Sequence, residues 1–256
     1  MTAAIEVRRL SYRYHDGTEA LKDVSFSIEP GQCIGLLGPN GSGKSTLLLH
    51  LNGILPEKHG ADGAVRILGQ AITGENLQTI RRQVGLLFQD PDDQLFCPTV
   101  DEDVRFGPQQ LGLEEAEVEA RVCRSLAQTG LADLGRRATH HLSQGEKRRA
   151  CLAGVLACEP ALLVLDEPTS DLDPRGRREF KELLRNIPST KLIATHDLEL
   201  VVELCSRVIV LDHGAVVADG LVSEVLNNEA LMLRHGLERP HILRHHHPHG
   251  DEDGAG

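Results

Sequence analysis

The chain has 256 residues and a mass of 28.0 kDa, 40% of them apolar and 25% charged, enough for one large core or one core with a smaller appended lobe. Its longest apolar runs are about five residues, as in Ala161 to Leu165, against the roughly 20 a bilayer-spanning helix needs, so it is not expected to cross a membrane alone. A net charge of −11 with no basic patch argues against a nucleic-acid partner. With no leader at the N-terminus and six scattered cysteines lacking any C-x-x-C pair, the expectation is a cytosolic protein whose thiols are free and mostly buried.

Residues 5–14 alternate as a strand and end in Tyr12-Arg13-Tyr14; a His15-Asp16-Gly17 turn leads to a second strand over 21–28. A ring here can stack on an adenine or serve as an ordinary strand aromatic. Pro30-Gly31 then turns the chain into Gln32-Cys33-Ile34-Gly35-Leu36-Leu37, an apolar run read as a buried strand. The strand runs directly into Gly38-Pro39-Asn40-Gly41-Ser42-Gly43-Lys44-Ser45-Thr46. This segment satisfies G-x-x-x-x-G-K-[ST], a loop whose backbone N–H groups surround a nucleotide's phosphates while the lysine reaches their terminal oxygens and the hydroxyl meets magnesium. The helix starting there turns its positive end toward those phosphates.

Beyond that helix come a loop over 60–63, a strand over 64–68, a short helix over 77–82 and an apolar strand over 84–88. Gln89 lies just past the strand's carboxyl end, where open parallel sheets place ligand contacts. After a proline-rich acidic loop over 90–98, Thr99-Val100-Asp101-Glu102 has capping-box spacing for a helix to about residue 110. A second helix over 114–129 puts Val118, Val122, Leu126 and Thr129 on one face. These two helices form an insertion between sheet segments.

Leu142-Ser143-Gln144-Gly145-Glu146 opens the next helix, which carries Ala150, Leu152, Ala153, Val155 and Leu156 toward a core. Ser143 and Glu146 make an S-x-x-E capping box, which a helix start uses with or without a ligand. The strand over 162–165 delivers Asp166-Glu167 to its carboxyl end. Beside a phosphate loop, the aspartate can hold hydrated magnesium and the glutamate can polarise an attacking water. A helix over 174–186 and a strand over 191–195 lead to His196, with Asp197 placed to cap a helix over 198–204. A lone histidine is usually structural; one at a strand end near a phosphate loop is also a site candidate. Strands over 208–211 and 215–218 flank a His213-Gly214 turn.

With the phosphate loop, Gln89, LSQGE, the strand ending in Asp166-Glu167, Asp171-Leu172-Asp173 and His196 in this order, the chain resembles the ATP-binding-cassette (ABC) ATPases over residues 3–225. No N-K-x-D motif supports a GTPase. The resemblance implies an α/β fold: a RecA-like core sheet, an N-terminal antiparallel β subdomain and a helical signature subdomain over about 90–158. A C-terminal helix and a His-rich, acidic tail are expected over 226–256. It implies ATP and Mg2+ as cofactors. Tyr14, with Tyr12 as fallback, is expected to stack on adenine, and Gly38, Pro39, Asn40, Gly41, Ser42, Gly43, Lys44, Ser45 and Thr46 to hold the phosphates. Ser45, Gln89 and Asp166 would attend magnesium, Gln89 also sensing the attacking water as a catalytic residue beside Glu167, the general base, and His196, which would fix the terminal phosphate.

Ser143, Gln144, Gly145 and Glu146 resemble the signature that acts on the ATP of the other subunit, so two copies are expected to close head to tail, linked through the loop holding Asp173. The usual LSGGQ is altered at Gln144 and Glu146 while Gly145 is kept, which leads us to expect function with altered affinity. A narrower resemblance, carried by Phe88-Gln89-Asp90-Pro91-Asp92-Asp93-Gln94-Leu95-Phe96 and Val-Asp-Glu-Asp-Val-Arg-Phe-Gly over 100–107, is to energy-coupling-factor importers, particularly their cobalt and nickel branch. It implies integral membrane subunits as separate partners, and a peripheral position on the cytoplasmic face of the cell membrane. Asp92, Asp93, Asp101 and Asp103 would receive basic side chains there, or be merely solvated. Vitamin importers and soluble ABC ATPases are the alternatives. In the tail, His245, His246, His247 and His249 are candidate nickel or cobalt ligands, set against an idle tail or a cloning tag.

Overall fold

The computed structural model describes residues 2–57 and 63–237. Two sheets carry the architecture. The first is antiparallel: β1 (Ile5–Arg13), β2 (Glu19–Ile28), β4 (Val65–Ile67) and β5 (Gln70–Ala71), in the order β2-β1-β4-β5. The second holds β3 (Cys33–Leu37), β6 (Val84–Leu87), β7 (Leu162–Asp166), β8 (Thr190–Ala194), β9 (Arg207–Asp212) and β10 (Ala215–Leu221), in the order β10-β9-β3-β8-β7-β6. All its pairings are parallel except that of the hairpin strand β10.

Every residue of β7 and β8 is buried, as expected of parallel strands covered on both faces. One face packs with α1 (Lys44–Leu51), α2 (Leu77–Gln83) and the antiparallel sheet; the other packs with α6 (Pro174–Asn186), α7 (Leu198–Leu204), α8 (Val222–Asn227) and α9 (Glu229–Arg234). A third core joins α3 (Val100–Gln110), α4 (Glu115–Gln128) and α5 (Gln144–Ala157). This helical lobe sits close on the sheet at Gly85 of β6, where an added Cβ would come within 2.4 Å of Val155 Cγ1. Only glycine allows that approach.

The helices start where local chemistry dictates. Thr99 with Glu102, and Ser143 with Glu146, both form complete capping boxes, while Asp173 and Asp197 cap α6 and α7 with their carboxylates. Val118, Val122, Leu126 and Thr129 are all buried along one side of α4 and its end.

Three details differ from the sequence reading. The expected C-terminal helix is two short ones, α8 and α9, broken at Asn228, whose side chain accepts from Leu231 N. A boundary at 225/226 would cut α8 between Val225 and Leu226, both buried in the second core, and that core continues to Leu237. Of the six cysteines, Cys151 and Cys205 are buried, Cys33, Cys97 and Cys158 are half-buried and Cys123 is exposed, so the aliphatic neighbours in sequence overstated their burial. The tail histidines 245, 246, 247 and 249 lie outside the described residues.

Candidate active site

The site forms at the carboxyl ends of β3, β7 and β8. At Gly38 the chain passes so close to β9 that an added Cβ would meet Leu211 O at 2.1 Å, and at Gly43 one would meet Ala20 O at 2.5 Å. The spacing of the motif therefore reflects backbone packing as well as ligand access. No side chain caps α1, whose N-cap is Gly43, which leaves its first N–H groups to the loop. Ser42 Oγ is buried without a hydrogen-bond partner. Lys44 Nζ donates to Gly38 O at 2.8 Å and Pro39 O at 3.1 Å. Burial lowers its pKa, opposed by the carboxylates of Glu167 and Asp166.

Asp166, the last residue of β7, is buried. Desolvation raises its pKa, while a hydrogen bond with Ser45 pulls the other way. Its neighbour Glu167 has φ +43, a conformation costing of order 1–3 kcal/mol for a non-glycine residue unless its surroundings hold it. They do so on both sides of the residue. The backbone N–H donates to Ala194 O at 2.8 Å, and the carbonyl accepts from Ser170 Oγ at 2.9 Å. Two donors converge on Glu167 Oε2, Thr195 Oγ1 at 3.0 Å and His196 N at 3.3 Å, and His196 Nδ1 stands 2.9 Å from the same oxygen. The His196 ring, expected on the terminal phosphate, is thus seated on Glu167 at the edge of the same cleft.

That cleft has a volume of about 820 Å³ and gathers Tyr14, the phosphate loop, Gln89, Asp166, Glu167 and His196. Tyr14 OH lies 2.9 Å from Thr46 Oγ1. Tyr12 packs between Tyr14 and His50, with ring centroids 5.0 and 4.7 Å away; it supports Tyr14 rather than lining the cleft. Sequence reading did not foresee that the segment following α9 borders it too. Gly236 and Leu237 form part of the wall, fixed by His235 Nδ1 on Asp212 Oδ2 at 2.8 Å.

A second cleft, of about 520 Å³, shares Ser45, Gln89 and Asp166 with the first and runs out along Asp90, Asp92, Asp93 and Gln144. Ser143, Gly145 and Glu146 line neither. Glu146 accepts from Ser143 N at 2.7 Å and faces Arg137 at 3.4 Å. The Ser143 hydrogen bonds hold its pKa below the usual carboxylate value, so its charge is spent on the helix start. A Cβ on Gly145 would meet nothing in its own chain nearer than Leu172 Cδ2 at 4.0 Å. Asp173 is occupied as a cap, accepting from Gly176 N at 2.6 Å.

Of the four acids expected to face a partner, three are engaged within the chain. Asp103 is buried and accepts from Phe96 N and Cys97 N, both at 3.0 Å, so it is a loop cap and that expectation is corrected. Asp101 pairs with Arg105 at 3.1 Å and Asp92 with Lys147 at 2.5 Å; Asp93 is exposed.

The residue the sequence reading missed is Arg148, on α5 just after the signature. It is 2% exposed and donates to Phe88 O at 2.9 Å and Ser170 Oγ at 3.1 Å. Ser170 in turn donates to the Glu167 carbonyl. One guanidinium thereby ties the signature helix to the residue before Gln89 and to the turn after Glu167. An arginine on the face shared with Leu152 and Val155 was the available signal.

Fold and site together define an ATP-hydrolysing phosphate-loop protein with a helical signature lobe, the ATP-binding-cassette class. The family described as ABC transporter matches residues 21–170, and the chain belongs to it. Within that family it is an ATPase of energy-coupling-factor type. It is 46% identical, over 95% of this chain and 90% of the relative, to the energy-coupling factor transporter ATP-binding protein EcfA of Carboxydothermus hydrogenoformans. The solved structure of cbiO1 from Clostridium perfringens, described as part of the ABC transporter complex cbiONQ, superposes with TM-score 0.79 at 38% identity, covering 91% of this chain and 94% of that one. The dimeric ATP-binding cassette MJ0796, in a post-hydrolysis state with ADP and Pi, gives TM-score 0.75 at 25% identity, covering 85% and 98%.

Proposed function

We propose that this chain powers import of cobalt or nickel ions through separate membrane subunits, working as a head-to-tail homodimer that binds two ATP molecules between its copies. The observation that carries the catalytic part is the convergence of two donors, Thr195 Oγ1 and His196 N, on Glu167 beside the phosphate loop, with the His196 ring 2.9 Å from the same oxygen. They fix the orientation of one carboxylate oxygen, as a base for the attacking water requires. Ser45, Gln89 and Asp166 share one corner and offer only oxygen ligands, the donor set that suits Mg2+. The ion would supply charge neutralisation between the outer phosphates.

In this mechanism Lys44 exchanges the loop carbonyls for phosphate oxygens, and Tyr14 presents its ring to the base. Glu167 takes a proton from water as that water attacks the terminal phosphorus and the bond from that phosphorus to the bridging oxygen breaks, so that ADP and phosphate leave. His196, hydrogen-bonded to the same carboxylate, steadies it and reaches the phosphate edge. Ser143 and Gly145 line neither cleft of their own chain, which supports a role on the nucleotide of the second copy. ATP then favours the closed pair through contacts ADP lacks, and hydrolysis releases it.

The membrane partners are supported by the likeness to a component of the cbiONQ complex. Among the described residues no helix is long and apolar enough to cross a membrane, which fits a peripheral subunit on the cytoplasmic face. Asp93 and the cleft running past Gln89 are the surface offered to them. The cargo is favoured by the resemblance of residues 88–96 and 100–107 to the cobalt and nickel branch and by the tail histidines 245, 246, 247 and 249. Copurification with the membrane subunits followed by radiolabelled nickel and cobalt uptake, with Glu167→Gln as the inactive control, tests the proposal. ATP-dependent uptake of either metal supports it; uptake of neither, with the assembled complex hydrolysing ATP, rejects the cargo.

A further inference from the structure

Cys33 opens the strand that leads into the phosphate loop, and Cys205 ends α7 just before β9. Their sulfurs lie 3.6 Å apart. The backbones are already laced at this point: Ser206 N donates to Cys33 O at 3.3 Å, and Ile34 pairs with Arg207 in the parallel ladder. A covalent link here would join backbones that are already neighbours, with the sulfurs closing from 3.6 Å to bonding distance. On its other side Cys33 pairs in register with Lys191 of β8, whose ammonium donates to Ile187 O and Ser189 O.

The two thiols are not equivalent. Cys33 is half-buried and Cys205 is buried. The Cys205 hydrogen bond, and behind it the Lys191 charge, hold the Cys33 pKa down, while the same contact and burial push Cys205 up. A half-buried sulfur whose pKa is lowered by contact with a more deeply buried, protonated partner is the arrangement of an attacking and a resolving cysteine. Elsewhere burial raises Cys151 to about 12 and also raises Cys158. Among the described residues no other pair of sulfurs is in contact.

We propose that Cys33 and Cys205 are a peroxide-oxidisable dithiol that closes to an intrachain disulfide, fastening the foot of the phosphate-loop strand to β9. The Cys33 thiolate attacks one oxygen of hydrogen peroxide; the O–O bond breaks, hydroxide leaves and is protonated to water, and Cys33 becomes a sulfenic acid. Cys205 then loses its proton, its sulfur attacks that of Cys33, the S–O bond breaks and a second water leaves. Two thiols are oxidised by two electrons and the peroxide is reduced by two. A low-molecular-weight thiol reverses the step by exchange. The link lies at the opposite end of β3 from the nucleotide, so it stabilises the fold and leaves the active-site geometry alone.

The full-length protein is treated with equimolar hydrogen peroxide, alkylated under denaturing conditions and mapped by mass spectrometry. The expected result is a Cys33–Cys205 linked peptide, restored to two thiols by dithiothreitol, with the melting temperature raised by about 5 °C or more in the oxidised form. In Cys205→Ser, Cys33 should stop at a sulfenic acid trapped by dimedone. Absence of the linked peptide from the wild-type protein, or oxidation of exposed Cys123 while Cys33 stays reduced, overturns the proposal, and neither result depends on how the variant folds.

Discussion

Glu167 combines a left-handed backbone with a buried carboxylate held by two donors and flanked by the His196 ring. Removing its charge while keeping its shape should separate binding from chemistry. For Glu167→Gln we expect kcat to fall about 10²- to 10⁴-fold with ATP affinity nearly unchanged, measured by steady-state phosphate release and nucleotide titration. Arg148 acts through others, so its signature differs. Arg148→Lys keeps a charge but cannot span Phe88 O and Ser170 together. A shift of about 1 Å in a positioned group is worth up to about 100-fold, and we expect kcat reduced roughly 10-fold with KM for ATP within about twofold; an equal rise in KM would assign the arginine to binding instead. At this scale, Gly38 to Thr46 and Asp166-Glu167 were legible because their chemistry is local to a few consecutive residues. Arg148 was not, because its partners lie 60 and 22 residues away. Asp103 was misread for the same reason as Cys123: exposure is a property of the packed chain.

Among the elements, α5 shows one short motif doing two jobs. The capping box of Ser143 and Glu146 was readable from spacing alone, and it explains why a glutamate is accepted where the family usually has glutamine: the carboxylate turns back onto Ser143 N. Glu146→Ala should destabilise the protein by about 1 kcal/mol in denaturant unfolding at pH 7. Because folding lowers this pKa, the contribution is fully present above the ordinary glutamate value of about 4.3 and is lost as pH falls through the lower folded value. The gap between wild type and variant should therefore close on acidification; a gap unchanged at about pH 3 would show that packing, and not the charge, is responsible. The paired helices α8 and α9 were harder to read, since Asn228 breaks them without glycine or proline. Their consequence is functional: the clasp of His235 on Asp212 brings Gly236 and Leu237 to the nucleotide cleft. Ending the chain before His235 should weaken ATP binding several-fold, whereas ending it after Leu237 should leave binding intact; equal affinities in a fluorescent-nucleotide titration would deny the segment that role.

For the molecule as a whole, the individual strands and the two-helix insertion were readable from apolar runs and periodicity, and the fold class from the resemblance the ordered motifs carry, whereas the strand order β10-β9-β3-β8-β7-β6 was not read, because which strands pair is decided by contacts far apart in sequence. The separation of the two half-sites was expected from the resemblance of the signature, not from the chemistry of its residues, which a capping box alone explains. The phosphate loop and Glu167 line one cleft, while Ser143 and Gly145 line neither cleft of their own chain. The proposed head-to-tail pair would complete the site by bringing the signature of a second copy to the nucleotide. The most direct measurement is the mass of Glu167→Gln in solution by light scattering, with saturating ATP and magnesium. We predict twice 28.0 kDa with ATP, and a return to the single-chain mass with ADP or with Ser143→Arg added. A particle that stays at the single-chain mass in ATP, with nucleotide demonstrably bound, would contradict the head-to-tail pair.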